Sequence, residues 1–174
     1  LWSEYTLASG VSFFYSEALN MLRRRAPDPV RGGILASEMG LGKTVMGLGL
    51  CLSNPAPTPL PAVVAPVKFA SKATLVVCAV SLVGQWADEA RSKLSDPKLK
   101  IYQYHGASRN KDPNFLASQD IVITTYSMLT SDTVYWAKKS NKSNYVAPLE
   151  SVNWHRIILD ESHSIKSGST GQAK

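Results

Sequence analysis

The chain has 174 residues, 44% of them hydrophobic, which gives room for one domain or a large piece of one with a true core. No run approaches the roughly 18 apolar residues that a membrane-spanning helix needs, so no membrane partner is expected. The formal net charge of +6 suits nucleic-acid phosphates, but the basic residues are dispersed along the chain, and a merely basic surface is the competing reading.

In chain order, residues 1–31 form an N-terminal segment that is aromatic, then basic at Arg23, Arg24 and Arg25, closing in the turn Ala26-Pro27-Asp28-Pro29. It has no signal-peptide cleavage pattern. A globular lobe is expected over 32–174. Ile34-Leu35-Ala36 reads as a strand, followed by a glycine loop and an apolar helix from Thr44. Pro55, Pro57, Pro59, Pro61 and Pro66 mark an exposed insert near 54–72. Thr74 to Ala79 is a continuous apolar strand. Ser81 is placed to cap a helix whose Leu82, Val83, Trp86, Ala90 and Leu94 share one face, and Trp86 reads as core on that face. Leu99–Tyr104, Asp120–Thr125 and Arg156–Asp160 read as further strands, and Ser131–Pro148, with Lys138, Lys139 and Lys142, as a second loop. Cys51 and Cys78 lie in apolar runs and read as small buried hydrophobes, without a disulfide or metal role, as expected of an intracellular protein.

Short apolar strands alternating with helices predict an α/β fold, a parallel sheet covered on both faces. Right-handed crossovers bring the C-terminal ends of the strands to one edge, where such sheets bind ligands. Two motifs fall there. The first is GGILASEMGLGKT, Gly32 to Thr44. Gly40 and Gly42 let the loop Glu38, Met39, Gly40, Leu41, Gly42 fold tightly and aim its N–H groups at phosphate oxygens. Lys43 supplies a point charge for the β- and γ-phosphates, and Thr44 a hydroxyl for Mg²⁺. A strict phosphate loop has Gly where this chain has Ser37, and a chance glycine-rich turn is the bland alternative.

The second motif is WHRIILDESHSIK, Trp154 to Lys166, with Asp160-Glu161 at the end of a strand. An acid there can hold Mg²⁺ opposite the loop hydroxyl. Its neighbour, pointing elsewhere from an extended backbone, can accept a proton from the attacking water. Alone, such a pair is usually a solvated turn; the phosphate loop gives it meaning.

Together these segments resemble motifs I and II of superfamily-two helicase-like ATPases. TLVVCAVSLVGQWADEA (Thr74 to Ala90) and DIVITTYSML (Asp120 to Leu129) are similar to motifs Ia and Ib of the Swi/Snf-type branch, and Tyr104-His105-Gly106 sits where that family often carries such a tripeptide. Pro148-Leu149 to Ile158, Trp154 and the aromatic N-terminal segment leading to Arg31-Gly32-Gly33 resemble the helicase-like transcription factor and its postreplication-repair relatives. Ser37, Ala79 and Ser162 depart from the usual Asp, Pro and Ala or Gly, and none removes a phosphate, metal or water ligand.

The resemblance implies a RecA-like P-loop lobe, the first helicase lobe, with ATP and Mg²⁺ as cofactors. It implies Lys43 and Thr44 on phosphates and metal, Asp160 on Mg²⁺ through water, and Glu161 as general base, with His163 coupling the nucleotide site to DNA. Ser81, Gln85, Thr124 and Thr125 would meet the sugar-phosphate backbone without reading sequence, although a helix cap and plain strand residues are the ordinary readings. The chain stops just after motif II, so a second RecA-like lobe and its arginine are expected to complete the site, and the isolated piece to be inactive. The implied protein is a nuclear DNA-dependent translocase of chromatin remodelling or DNA repair, partnered by DNA and by nucleosome or repair proteins. A DExH RNA helicase lobe and a truncated, non-catalytic nucleotide-binding remnant are the alternatives.

Overall fold

The computed structural model describes residues 2–28, 31–63, 67–139 and 146–162. It separates into two compact units, Leu1–Glu38 and Met39–Lys174.

The first unit carries an antiparallel meander of β1 (Ser3–Thr6), β2 (Ser12–Ser16) and β3 (Met21–Arg23). Its first turn closes through Gly10 at φ 80°, with Gly10 N–H donating to the Leu7 carbonyl at 2.9 Å. Tyr5 and Phe13, directly opposite across β1 and β2, stack with centroids 5.5 Å apart. The expected strand at Ile34–Ala36 is absent: residues 31–38 are irregular, and Ile34 is 95% exposed. Three apolar residues between glycines do not fix a strand, because a strand forms only with a ladder partner.

The second unit begins with α1 (Lys43–Ser53), then β4 (Phe69–Ala70) and β5 (Thr74–Cys78). A 3₁₀ turn at Val80–Leu82 leads into α2 (Val83–Lys93), followed by β6 (Ile101–Gln103), α3 (Pro113–Ala117), β7 (Ile121–Thr125), α4 (Tyr126–Lys139), β8 (Val152–Asn153) and β9 (Arg156–Leu159). The main sheet has the order β6-β7-β5-β9 with all pairs parallel, and β4 and β8 form a small parallel pair of their own.

Alternation along the central strands divides the core between the two faces of the main sheet. Val76, Cys78, Ile121 and Ile123 pack with Leu48 of α1 and Val83, Trp86, Ala87 and Ala90 of α2. Leu75, Val77 and Val122 pack with Tyr104, Leu116, Tyr126, Leu149 and Val152. Every residue of β5 and β7 is therefore buried, as both-face coverage requires.

Two further expectations change. Ser81 does not cap α2: it lies within the 3₁₀ turn, and the N-cap position is Leu82, with no side-chain cap. The region predicted as a loop from Ser131 is helical to Lys139, as the continuation of α4. Thr130, Ser131 and Thr133 return their hydroxyls to carbonyls four residues earlier, so a polar sequence that reads as loop is satisfied inside a helix.

Candidate nucleotide and nucleic-acid site

The glycine loop enters α1 through two left-handed residues, Gly40 (φ 82°) and Gly42 (φ 75°). These are the positions where glycine is required, and a Cβ added at either would meet open space, leaving room for a ligand beside the backbone. Gly42 is the N-cap of α1, no side chain caps the helix, and its first turn holds no acidic residue. An 11-residue helix that starts this way presents its N–H groups and positive dipole end to an anion. Lys43 and Thr44, half-buried, open that helix.

Asp160 follows β9 at the C-terminal edge of the sheet, and its N–H continues the ladder to the Val77 carbonyl at 2.8 Å. The chain then turns sharply: Glu161 has φ 51°, in the left-handed region that a glutamate rarely adopts. The acidic pair is thus a tight turn and not extended backbone, with the unusual conformation at the residue read as the base. His163 lies outside the described residues.

One packing contact brings loop helix and acidic strand together. Gly47, one turn beyond Thr44, lies so close to the Trp86 ring that a Cβ there would be 3.1 Å from Trp86 Cη2 and 3.6 Å from Ile158 Cδ1. Ile158 precedes Asp160 on β9, and Trp86 Nε1 donates to Asp160 Oδ2 at 2.8 Å. Tyr126, at the start of α4, donates its hydroxyl to the Asp160 carbonyl at 2.8 Å. Burial, then the Asp160 charge, raises the Tyr126 phenol above its ordinary range, keeping it a donor.

Among the described residues no group of three or more His, Cys, Asp or Glu side chains could cage a metal. Mg²⁺ usually retains several waters and is held by one or two carboxylates plus substrate phosphates. A hydroxyl at Thr44 and a carboxylate at Asp160 are the right donor chemistry. A cavity of about 180 Å³ lies elsewhere, bordered by Thr74, Ile121 and Arg156 at the beginnings of their strands, the edge opposite Asp160.

A model of the SNF2-related domain matches residues 10–174. The chain belongs to the SNF2-related family. The chain is 36% identical over 168 residues to the DNA repair protein RAD5B of Arabidopsis thaliana, an alignment covering 86% of this chain and 13% of that protein. It is 38% identical over 104 residues to the human helicase-like transcription factor, covering 59% of this chain and 10% of the relative. A third relative is the putative SWI/SNF-related matrix-associated actin-dependent regulator of chromatin subfamily A member 3-like 1 of Arabidopsis thaliana, at 30% over 199 residues, with 92% of this chain and 22% of the relative covered. The chain therefore spans no more than about a fifth of the length of these relatives.

The four residues of the SNF2-related lobe expected to meet nucleic acid separate into two pairs. Ser81 and Gln85 are exposed, and Gln85 Nε2 donates to Glu89 at 2.9 Å. Thr124 and Thr125 are buried, and their hydroxyls are used internally. Thr124 donates to the Tyr104 carbonyl at 3.1 Å, and Thr125 accepts from Met128 N–H at 3.2 Å, capping the first turn of α4. The exposed hydroxyl of this segment is Ser127. Trp86, read from the sequence as core, is core and also a hydrogen-bond partner of the acidic motif; Tyr126 was not singled out at all. Both lie inside the motif segments Thr74 to Ala90 and Asp120 to Leu129, next to Gln85 and Thr125, the residues expected to meet nucleic acid.

Proposed function

We propose that this chain is the ATP-binding lobe of a DNA-dependent ATPase that translocates on DNA in chromatin remodelling or DNA repair, in the nucleus, with a second RecA-like lobe completing the site. The observation that supports the reading is the packing of α1, the helix that follows the glycine loop, against Trp86 and against Ile158 of the strand leading to Asp160.

In this reading the N–H groups of Glu38, Met39, Gly40, Leu41 and Gly42, with those opening α1, hold the phosphates of ATP. Lys43 places its charge on the β- and γ-phosphates. Thr44 and Asp160 hold hydrated Mg²⁺, which, when bound, offsets phosphate charge. Glu161 accepts the proton of the water that attacks the γ-phosphorus, as the bond to the ADP oxygen breaks. His163 relays the state of the site towards DNA. Ser81, Gln85 and, in place of the buried threonines, Ser127 meet phosphates, so binding is indifferent to sequence and steeply salt-dependent. Partners of the whole protein are nucleosomes or repair proteins.

The test is Lys43→Ala in the full-length protein, titrated with a fluorescent ATP analogue. Binding is lost if the loop holds the phosphates, and unchanged affinity would overturn the assignment. ATPase stimulation by duplex DNA over RNA separates the translocase from an RNA helicase. Absence of any stimulated turnover favours a nucleotide-binding remnant.

A further inference from the structure

Asp160 is held at three points by three different elements. Its N–H donates to Val77 of β5, its carbonyl accepts from Tyr126 of α4, and its Oδ2 accepts from the indole of Trp86 on α2, each at 2.8 Å. The first two fix the backbone; the third fixes the carboxylate. Trp86 is 3% exposed, wedged between Gly47 of α1 and the sheet, so the ring cannot swing away without disrupting the core.

The chemistry of the donor matters. An indole N–H is a donor only, and it is neutral. It orients a carboxylate without bringing a second cation to compete with Mg²⁺, as a lysine or arginine would. The bond commits Oδ2 of Asp160 to the protein and fixes the plane in which the carboxylate meets a hydrated ion.

We infer that Trp86 is a positioning residue for Asp160: its indole N–H sets the orientation in which that carboxylate meets hydrated Mg²⁺. The inference rests on the proposed ATPase site and adds a residue to it. It also gives the nucleic-acid side a physical link to the metal side. Exposed Gln85 is the neighbour of Trp86 on α2, and exposed Ser127 the neighbour of Tyr126 on α4, so a displacement of either helix by a bound strand acts directly on Asp160.

The experiment uses the full-length protein and Trp86→Phe, which keeps an aromatic ring and removes the N–H. The affinity for a fluorescent ATP analogue is measured in EDTA, and then across a Mg²⁺ titration. Loss of an outer-shell partner typically weakens metal binding by about 10- to 100-fold. The half-saturating Mg²⁺ concentration is therefore expected to rise by about tenfold or more, with affinity in EDTA unchanged. Where Trp86→Phe lowers the thermal midpoint, 3-benzothienylalanine incorporated at position 86 keeps the bicyclic shape with sulfur in place of N–H, and the same rise is expected. In an Asp160→Ala background, Trp86→Phe adds nothing to the Mg²⁺ requirement. A wild-type Mg²⁺ requirement in both indole variants, or an undiminished effect in the Asp160→Ala background, overturns the inference and leaves the ATPase reading standing. Nucleotide binding by the wild-type protein that ignores Mg²⁺ overturns both.

Discussion

Gly47 on α1 lies under the edge of the Trp86 ring, so that a methyl group in its place would stand 3.1 Å from Trp86 Cη2. Gly49, two residues on in the same helix, would place a methyl in open space. Both sit inside a helix, where Ala is favoured over Gly by about 0.5–1 kcal/mol. At Gly49 nothing opposes that gain, so Gly49→Ala is expected to stabilise by about that amount. At Gly47 the Trp86 ring must give way, and it is pinned by its bond to Asp160. Overpacking a core typically costs about 1–3 kcal/mol, so Gly47→Ala is expected to be destabilising on balance. Urea midpoints of the two variants check this, and equal behaviour would show that the ring is free to shift.

A second expectation concerns the buried acid of α4. Asp132, 2% exposed, accepts from the Tyr104 hydroxyl and pairs with the Arg109 guanidinium. Arg109 in turn donates to the Gly106 carbonyl at 2.7 Å and lies 5.1 Å from the centroid of the Tyr104 ring. Removing one partner of a buried ion pair leaves the other charge uncompensated, at a cost of about 3–5 kcal/mol. Asp132→Ala is expected to fall in that range by urea unfolding. Arg109→Ala added to it should cost much less than Arg109→Ala alone, because the partner is already gone.

The two cysteines should differ sharply in reactivity. Burial, and then the Asp160 charge, push the Cys78 thiol from 9.0 up to about 12, while Cys51 is only half-buried. Three pH units correspond to about a thousandfold less thiolate, the reactive form. Iodoacetamide at pH 8, followed by peptide mass mapping of the native full-length protein, is expected to modify Cys51 and spare Cys78, with both reacting after denaturation. The linkage has a definite sign. The folded state holds the Cys78 proton more tightly than the unfolded chain, so this contribution is fully present below pH 9.0 and is lost as pH rises towards about 12.

The parallel sheet was legible because β5 and β7 are apolar runs buried on both faces, and because β9, at the sheet edge with Ile157 and Leu159 exposed, is still an apolar run that ends in polar residues at the ligand edge. The glycine loop and the acidic pair were legible because their chemistry is local: left-handed Gly40 and Gly42, a lysine, a hydroxyl, a carboxylate. What stayed hidden depends on partners distant in sequence. The meander of β1 to β3 has strands of four, five and three residues, too short for alternation to register. The burial of Thr124 follows from its place in a central strand, which assigning it to a motif does not reveal. The Trp86–Asp160 bond joins residues 74 positions apart, and no periodicity within α2 points to it.

The last expectation separates binding from chemistry at adjacent residues. Asp160 ends a strand and is gripped by Trp86, Tyr126 and Val77, whereas Glu161 turns away at φ 51°. Glu161→Gln keeps the size and hydrogen bonding of the side chain and makes the same demand on a left-handed backbone, so stability should change little. It cannot accept the proton of the attacking water. In the full-length protein the Mg-ATP complex is therefore expected to form with near wild-type affinity, while single-turnover hydrolysis falls by roughly two to four powers of ten. Asp160→Asn removes negative charge from the metal's surroundings and should raise the Mg²⁺ requirement for nucleotide binding. Affinity, Mg²⁺ dependence and single-turnover rate measured side by side distinguish the two. Wild-type hydrolysis by Glu161→Gln would remove the acidic pair as the catalytic centre. Equal loss of binding in both variants would keep the site but overturn the division of labour between a carboxylate held in place for the metal and one turned out towards the water.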